Sequence, residues 1–243
     1  MGRAETLALL AAGQVPERYR RNIGTIGAAG QARLLEAKVA VIGAGGLGGT
    51  IVELLARQGI GYLKVIDGDT FAAHNLNRQI LATENNLGMN KAAAAAARVT
   101  AINAEVTVDA VPAMLCADNA AGLLAGIDVV VDALDNIETR LILGRTASNL
   151  GIPLVHGAIA GFTGQIATIL PGDPGLDRIY KLCAGQAKGI ETALGNPAAT
   201  PALAASLQVQ EVVKILTGVG RPLSRQLLYF DTELNLFEIF TLG

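Results

Sequence analysis

Residues 39–55 read VAVIGAGGLGGTIVELL. A short β-rich apolar run meets a cluster of glycines and then a segment whose Ile51, Leu54 and Leu55 share one helical face, so the stretch reads as strand, turn and helix. Gly43-Ala44-Gly45-Gly46-Leu47-Gly48 fits G-x-G-x-x-G between a strand at Lys38–Ile42 and a helix at Gly46–Gln58. Glycines allow a tight turn and let backbone approach phosphate, and the helix N-terminus supplies unpaired N–H groups and a positive dipole end. Gly43, Gly45, Gly46 and Gly48 are therefore nucleotide-binding candidates. Asp67 follows Gly48 by 19 residues, at the end of the next strand. That is where a carboxylate takes ribose hydroxyls in such a unit. These residues alone leave a dinucleotide and ATP equally open.

The next stretch, KVIDGDTFAAHNLNRQIL at 64–81, separates the two. After Asp67 and Asp69 comes a polar loop carrying Asn75, Arg78 and Gln79. A guanidinium beside the ribose strand suits a triphosphate better than a neutral nicotinamide. Lys91 comes shortly after, near the start of the following helix, and offers a second cation. Asp135 with Asn136 lies at the carboxyl end of a later strand, the edge where open α/β sheets place ligands. An acid there beside phosphates is a natural Mg²⁺ ligand. Taken singly, Arg78 and Lys91 are also readable as solvated charges and Asp135 as a helix cap. Their order behind a glycine turn favours the site.

Outward from this centre the pattern alternates. Strands are expected at 62–67, 105–111 and 127–133, the last read as fully apolar, with helices at 88–102, 118–124 and 136–150. Residues 16–37 read as a helical hairpin or bent helix loosened at Gly24, Gly27 and Gly30. Alternating strands and helices imply a mostly parallel, Rossmann-like α/β sheet covered on both faces. The texture then changes to two close strands at 153–160 and 165–170, a Gly- and Pro-rich loop at 171–200, a helix at 201–217 and a closing hairpin at 226–231 and 235–240. The C-terminal part thus extends the sheet with antiparallel strands. The expected organisation is one domain over 1–243: a helical segment at 1–37, a nucleotide-binding half at 38–150 and a second half at 151–243.

Composition narrows the function. Of 243 residues, 51% are hydrophobic and 16% charged, with a net charge of −2, enough apolar material for a doubly covered sheet and an oligomer surface. No basic field is available for nucleic acid, and with 4% aromatic residues base-stacking platforms are scarce. The two cysteines, Cys116 and Cys183, support neither a disulfide framework nor a four-thiolate zinc site, which points to the cytoplasm. The uncharged runs at 146–172 and 192–210 carry Gly, Pro and amides throughout, and Glu5 interrupts the apolar N-terminal stretch, so neither a membrane span nor a signal peptide is expected.

With these residues in view the chain resembles the ThiF/MoeB/HesA family of adenylyltransferases, the sulfur-carrier-activating relatives of ubiquitin-activating enzymes. The resemblance runs from about Arg18 to about Phe237. It includes Arg18-Tyr19-Arg20-Arg21, the glycine turn, Asp67-Gly68-Asp69, Asn75-Leu76-Asn77-Arg78-Gln79, Gly88 with Lys91, Asp135-Asn136 with Arg140, Gly157-Ala158, Gly164-Gln165 and the segment from Gln208 to Gly218. It implies binding of ATP and Mg²⁺ and attack on the α-phosphate by the C-terminal Gly-Gly carboxylate of a small ubiquitin-like sulfur-carrier protein, in a thiamine-, molybdopterin- or related pathway. By position, Asp67 would hold the ribose, Asn75, Arg78 and Lys91 the phosphates, and Asp135 the metal. Arg21 would reach across a homodimer, and residues 151–243 would bind the carrier and the second subunit.

Two departures from the family stand out. Its two Cys-x-x-Cys pairs are missing, so no structural zinc is expected. The family's transfer cysteine falls near Glu191, with Cys183 the nearest thiol, so adenylation without a covalent thioester is expected. Activation of another carboxylate, a peptide terminus or a modified nucleoside, is the main alternative. An NAD-dependent oxidoreductase would leave Arg78, Lys91 and Asp135 without roles, and a catalytically inactive binding scaffold is the remaining class.

Overall fold

A computed structural model describes residues 2–180 and 194–242. Its centre is one eight-stranded sheet in the order β3-β2-β1-β4-β5-β6-β7-β8. The strands are β1 (Lys38–Ile42), β2 (Tyr62–Ile66), β3 (Thr107–Val111), β4 (Val129–Asp132), β5 (Leu154–Ala160), β6 (Thr163–Ile169), β7 (Gln226–Asp231) and β8 (Leu236–Thr241). Strands β1 to β5 pair in parallel, and β6, β7 and β8 add on antiparallel, as the change of texture after residue 150 implies.

Alternation along β1 sorts the core into two layers. Val39 and Val41 join Ile51 and Leu55 of α3 (Gly46–Gln58), Val99 of α4 (Lys91–Ile102) and Val209 and Val212 of α8 (Ala199–Thr217). Ala40 and Ile42 face the opposite way, toward Leu124 of α5 (Ala117–Leu124), Leu143 of α6 (Ile137–Leu150) and Leu176 of α7 (Leu176–Ile179). Helices thus cover both faces. At the N-terminus α1 (Arg3–Ala11) packs on α2 (Arg20–Glu36), which kinks at Gly27, where φ is +68°. Buried Tyr19 anchors this arm: its hydroxyl accepts a 3.0 Å bond from the Asn103 amide and lies 3.3 Å from Glu105 Oε2.

Most differences from the sequence reading are at element ends. Helix α4 starts at Lys91 rather than 88, because Asn90 bridges to Thr70 and its Oδ1 caps the Ala93 N–H. Strand β3 starts at Thr107 rather than 105, since the Asn103 side chain turns the chain by accepting the Glu105 N–H. Strand β6 starts at Thr163 rather than 165, because the turn at Gly161-Phe162 pairs Ala160 directly with Thr163. Helix α8 starts at Ala199, with Pro201 inside its first turn, where its missing N–H has no partner to lose. Strand β4 is not wholly apolar: it ends on fully buried Asp132. Part of the expected 171–200 loop is helical, as α7 and the start of α8, and residues 171–175 and 195–198 are non-helical as expected; residues 181–193, with Cys183 and Glu191, lie outside the described residues.

Candidate active site

The strand order reverses between β1 and β4, and a cleft opens at the carboxyl ends of the strands beside this point. Its floor is the glycine turn. Gly43 has φ +96°, and a Cβ there would lie 2.7 Å from the Ala133 carbonyl oxygen. A Cβ on Gly48 would lie 1.8 Å from the Gly43 carbonyl oxygen, so the first turn of α3 can close on the loop only without a side chain. The N-terminus of α3 faces the cleft through Gly45, Gly46 and Leu47.

Strand β2 delivers Asp67 into the same cleft. Its two carboxylate oxygens accept the Ala44 N–H at 2.7 Å and the Asp69 N–H at 2.8 Å. Asp69 in turn pairs with Lys91, whose ammonium is nearly buried and lies 3.1 Å from Asp69 Oδ2. The loop after β2 supplies Arg78, whose Nη1 donates to the His74 carbonyl and to Asn77 Oδ1, both at 2.9 Å. Gln79 is buried beside Gly45, and its Oε1 has no hydrogen-bond partner among the described residues. A buried acceptor in that state, at the edge of a glycine turn, fits a polar ligand.

Asp135 forms part of the opposite wall and is exposed to the cleft. The peptide before it is held from below. Asp132 Oδ1 accepts the Leu134 N–H at 3.0 Å, and Arg140 donates to the Leu134 carbonyl. Arg140 Nε lies 3.5 Å from Asp132 Oδ2, and the same oxygen is 2.7 Å from His156 Nδ1. Burial raises the Asp132 carboxyl, but Arg140, His156 and the Leu134 N–H together bring it below the ordinary carboxylate range. Burial holds the His156 ring below its ordinary range, with Arg140 acting in the same sense and Asp132 opposing. A neutral imidazole beside a carboxylate satisfies both partners: Nδ1–H donates to Asp132, and Nε2 faces the Tyr180 hydroxyl at 3.2 Å and the Gln165 amide at 3.3 Å.

Of the residues expected from sequence, Gly43, Gly45, Gly46, Asp67, Asp69, Arg78, Gln79, Lys91 and Asp135 all line this cleft. Gly48 lies just behind it, and Asn75 is buried under the loop with its Oδ1 capping the Ala72 N–H. Arg21 is exposed on the first turn of α2 and does not line the cleft of its own chain. Sequence reasoning missed Asn196 and Pro201, which reach the cleft from the segment before α8 and from its first turn, and the apolar edge at Ala113 and Met114. Asn77 Nδ2 ties the two sides together by donating to the Asn196 carbonyl at 3.2 Å. Among the described residues no group of three or more His, Cys, Asp or Glu side chains is arranged to hold a metal ion, and no helix is long and apolar enough to cross a membrane. A single carboxylate such as Asp135 suits Mg²⁺, a hard cation that takes most of its ligands from phosphate and water.

Comparison with known proteins matches residues 19–243 to the model of the ThiF family. The SAMP-activating enzyme E1 of Haloferax volcanii is 38% identical over 229 residues, 91% of this chain and 83% of that protein. The sulfur carrier protein adenylyltransferase of Thermus thermophilus is 38% identical over 227 residues, 88% of this chain and 83% of its own length. The sulfur carrier protein ThiS adenylyltransferase of Bacillus subtilis is 39% identical over 207 residues, which cover 83% of this chain but 61% of that protein. Among solved structures, Escherichia coli MccB with ATP superposes with a TM-score of 0.80 at 21% identity, over 93% of this chain and 72% of that one. PaaA gives a TM-score of 0.80 at 24% identity, over 93% and 73%. These two likenesses establish the fold.

Proposed function

The chain belongs to the ThiF family, and on that premise we propose that it uses ATP to adenylylate the C-terminal glycine carboxylate of a small ubiquitin-like sulfur-carrier protein, releasing pyrophosphate. The observation that carries the reading is the convergence of Arg78, Lys91 and Asp135 around one glycine turn. The names of the relatives that are 38–39% identical support the reaction and the kind of partner.

In this reaction a carboxylate oxygen forms a bond to the α-phosphorus while the bond from that phosphorus to the pyrophosphate oxygen breaks. Little covalent chemistry is asked of the protein; positioning and charge do most of the work. The N–H groups at the start of α3 and the Arg78 fork suit the triphosphate. Lys91 exchanges its Asp69 partner for phosphate oxygen. Asp67 keeps the turn in shape and presents its outer lone pairs to the ribose. Asp135 would hold Mg²⁺, which when bound would supply positive charge against the phosphates. Arg21, exposed on its own chain, serves the cleft of a second copy in a homodimer. The reading places the protein in the cytoplasm, with a carrier ending in Gly-Gly.

The test is intact-mass analysis of small Gly-Gly-ended proteins incubated with enzyme, ATP and Mg²⁺. An AMP adduct at the carrier C-terminus is expected. Adenylylation of a peptide or a small carboxylate, with every carrier left unmodified, would replace the proposal with its alternative.

A further inference from the structure

Asp132 and His156 face each other as paired residues of the parallel strands β4 and β5, and both are fully buried. Neither lines the cleft. Around them a continuous set of polar contacts runs from Tyr180 to the peptide that precedes Asp135. The Tyr180 hydroxyl accepts from Arg140 Nη1 at 2.7 Å and sits 3.2 Å from His156 Nε2, with the two rings edge-on at 5.6 Å between centroids. The second terminal nitrogen, Nη2, donates to the Gly157 carbonyl at 3.2 Å and to the Leu134 carbonyl. Leu134 is therefore fixed on both sides, its N–H by Asp132 and its carbonyl by Arg140. Asp135 is the next residue, and it stands exposed in the cleft wall.

A buried ion pair is costly to desolvate, and hydrophobic residues of similar volume often replace one without loss of stability. Its value here lies in geometry. A planar guanidinium held by several acceptors has one orientation, and it passes that orientation to the Leu134 carbonyl. Tyr180 and His156 each hold one member of the pair, Arg140 at 2.7 Å and Asp132 at 2.7 Å, and neither of them lines the cleft. We propose that Tyr180 and His156 are positioning residues for Asp135, acting through Arg140 and Asp132 to fix where its carboxylate meets the metal. The inference rests on the metal-binding reading of Asp135.

The test uses Mn²⁺ as the probe, bound to the enzyme with an ATP analogue that is not cleaved at the α-phosphate, and counts free Mn²⁺ by electron paramagnetic resonance. Tyr180→Phe keeps the ring and removes the hydroxyl. Weaker Mn²⁺ binding to the analogue complex is expected, with analogue binding in the absence of metal unchanged. Combined with Asp135→Asn, the second change should add no further loss, since residues acting through one another are non-additive. Unchanged Mn²⁺ affinity in Tyr180→Phe alongside a loss in Asp135→Asn would overturn the inference alone, as would additive losses in the double variant. Wild-type affinity in Asp135→Asn would overturn the metal reading and this inference with it. If Tyr180→Phe does not fold, Arg140→Lys replaces it: the charge against Asp132 stays, the fork that reaches both Tyr180 and Leu134 is lost, and the same non-additivity is expected.

Discussion

Asp67 Oδ2 accepts the Ala44 N–H at 2.7 Å, so the acid at the end of β2 braces the glycine turn at the end of β1. One carboxylate thus shapes the turn and faces the cleft. Asp67→Ala should lose stability by about 1–3 kcal/mol, the usual cost of leaving a buried donor without its partner. It should also weaken ATP binding. Asp67→Asn retains one acceptor and should fall between the two. Thermal unfolding and equilibrium ATP binding measured on the same preparations check both effects.

Gly48 and Gly24 predict opposite outcomes for the same substitution. A Cβ on Gly48 meets the Gly43 carbonyl at 1.8 Å, whereas one on helical Gly24 meets nothing within 4 Å. Gly48→Ala should destabilise by on the order of 1–3 kcal/mol or more and impair nucleotide binding. Gly24→Ala should stabilise by about 0.5–1 kcal/mol. Urea denaturation of the two variants is the measurement, and equal effects would contradict the turn geometry.

The Asp132–His156 pair makes stability depend on pH in a defined direction. The folded state holds His156 neutral, with its pKa below the ordinary value, while the unfolded histidine takes up a proton near about pH 6.5. The unfolded state therefore binds more protons as the pH falls below that value, and stability declines by at most about 1.4 kcal/mol per pH unit for this one group. The depressed Asp132 carboxyl adds a loss of the same sign only at lower pH, in the carboxylate range. Unfolding free energies from pH 7.5 to 5.5 should decline in the wild type and decline less steeply in a folded His156→Gln variant.

Arg21 and Asp135 are predicted to complement each other between subunits. Arg21 does not line its own cleft, while Asp135 does. If Arg21 works across a two-fold interface, a mixed dimer of Arg21→Ala and Asp135→Ala contains one intact site. Two inactive variants should then regain activity on co-refolding. Verified mixed dimers without activity would remove Arg21 from the reaction.

The parts of the site that were legible in the sequence are local. The glycine turn, Asp67 and the Arg78 loop occupy 43–79, and their spacing is fixed by one strand-turn-helix-strand unit. Lys91 was legible because it opens a helix. The polar network beneath Asp135 was not, since Asp132 and His156 meet only through the pairing of β4 with β5 and Tyr180 arrives from a third element. Asp132 was overlooked inside a strand read as apolar, where its charge is compensated by Arg140 from the next helix. Asn196 gave no local signal, because its place at the cleft depends on how the segment before α8 returns to the sheet. Element ends moved by one to three residues, mostly where an asparagine side chain or a turn decided the boundary.

Exchange of radiolabelled pyrophosphate into ATP, with Mg²⁺ and a panel of Gly-Gly-ended carriers, tests the central claim most directly. Exchange is predicted only when a cognate carrier is present. It should be lost in Arg78→Ala without a change in melting temperature, because removing a cation that stabilises transition-state charge costs on the order of 3 kcal/mol or more. ATP binding without exchange for any carrier, or wild-type exchange in Arg78→Ala, would contradict the account.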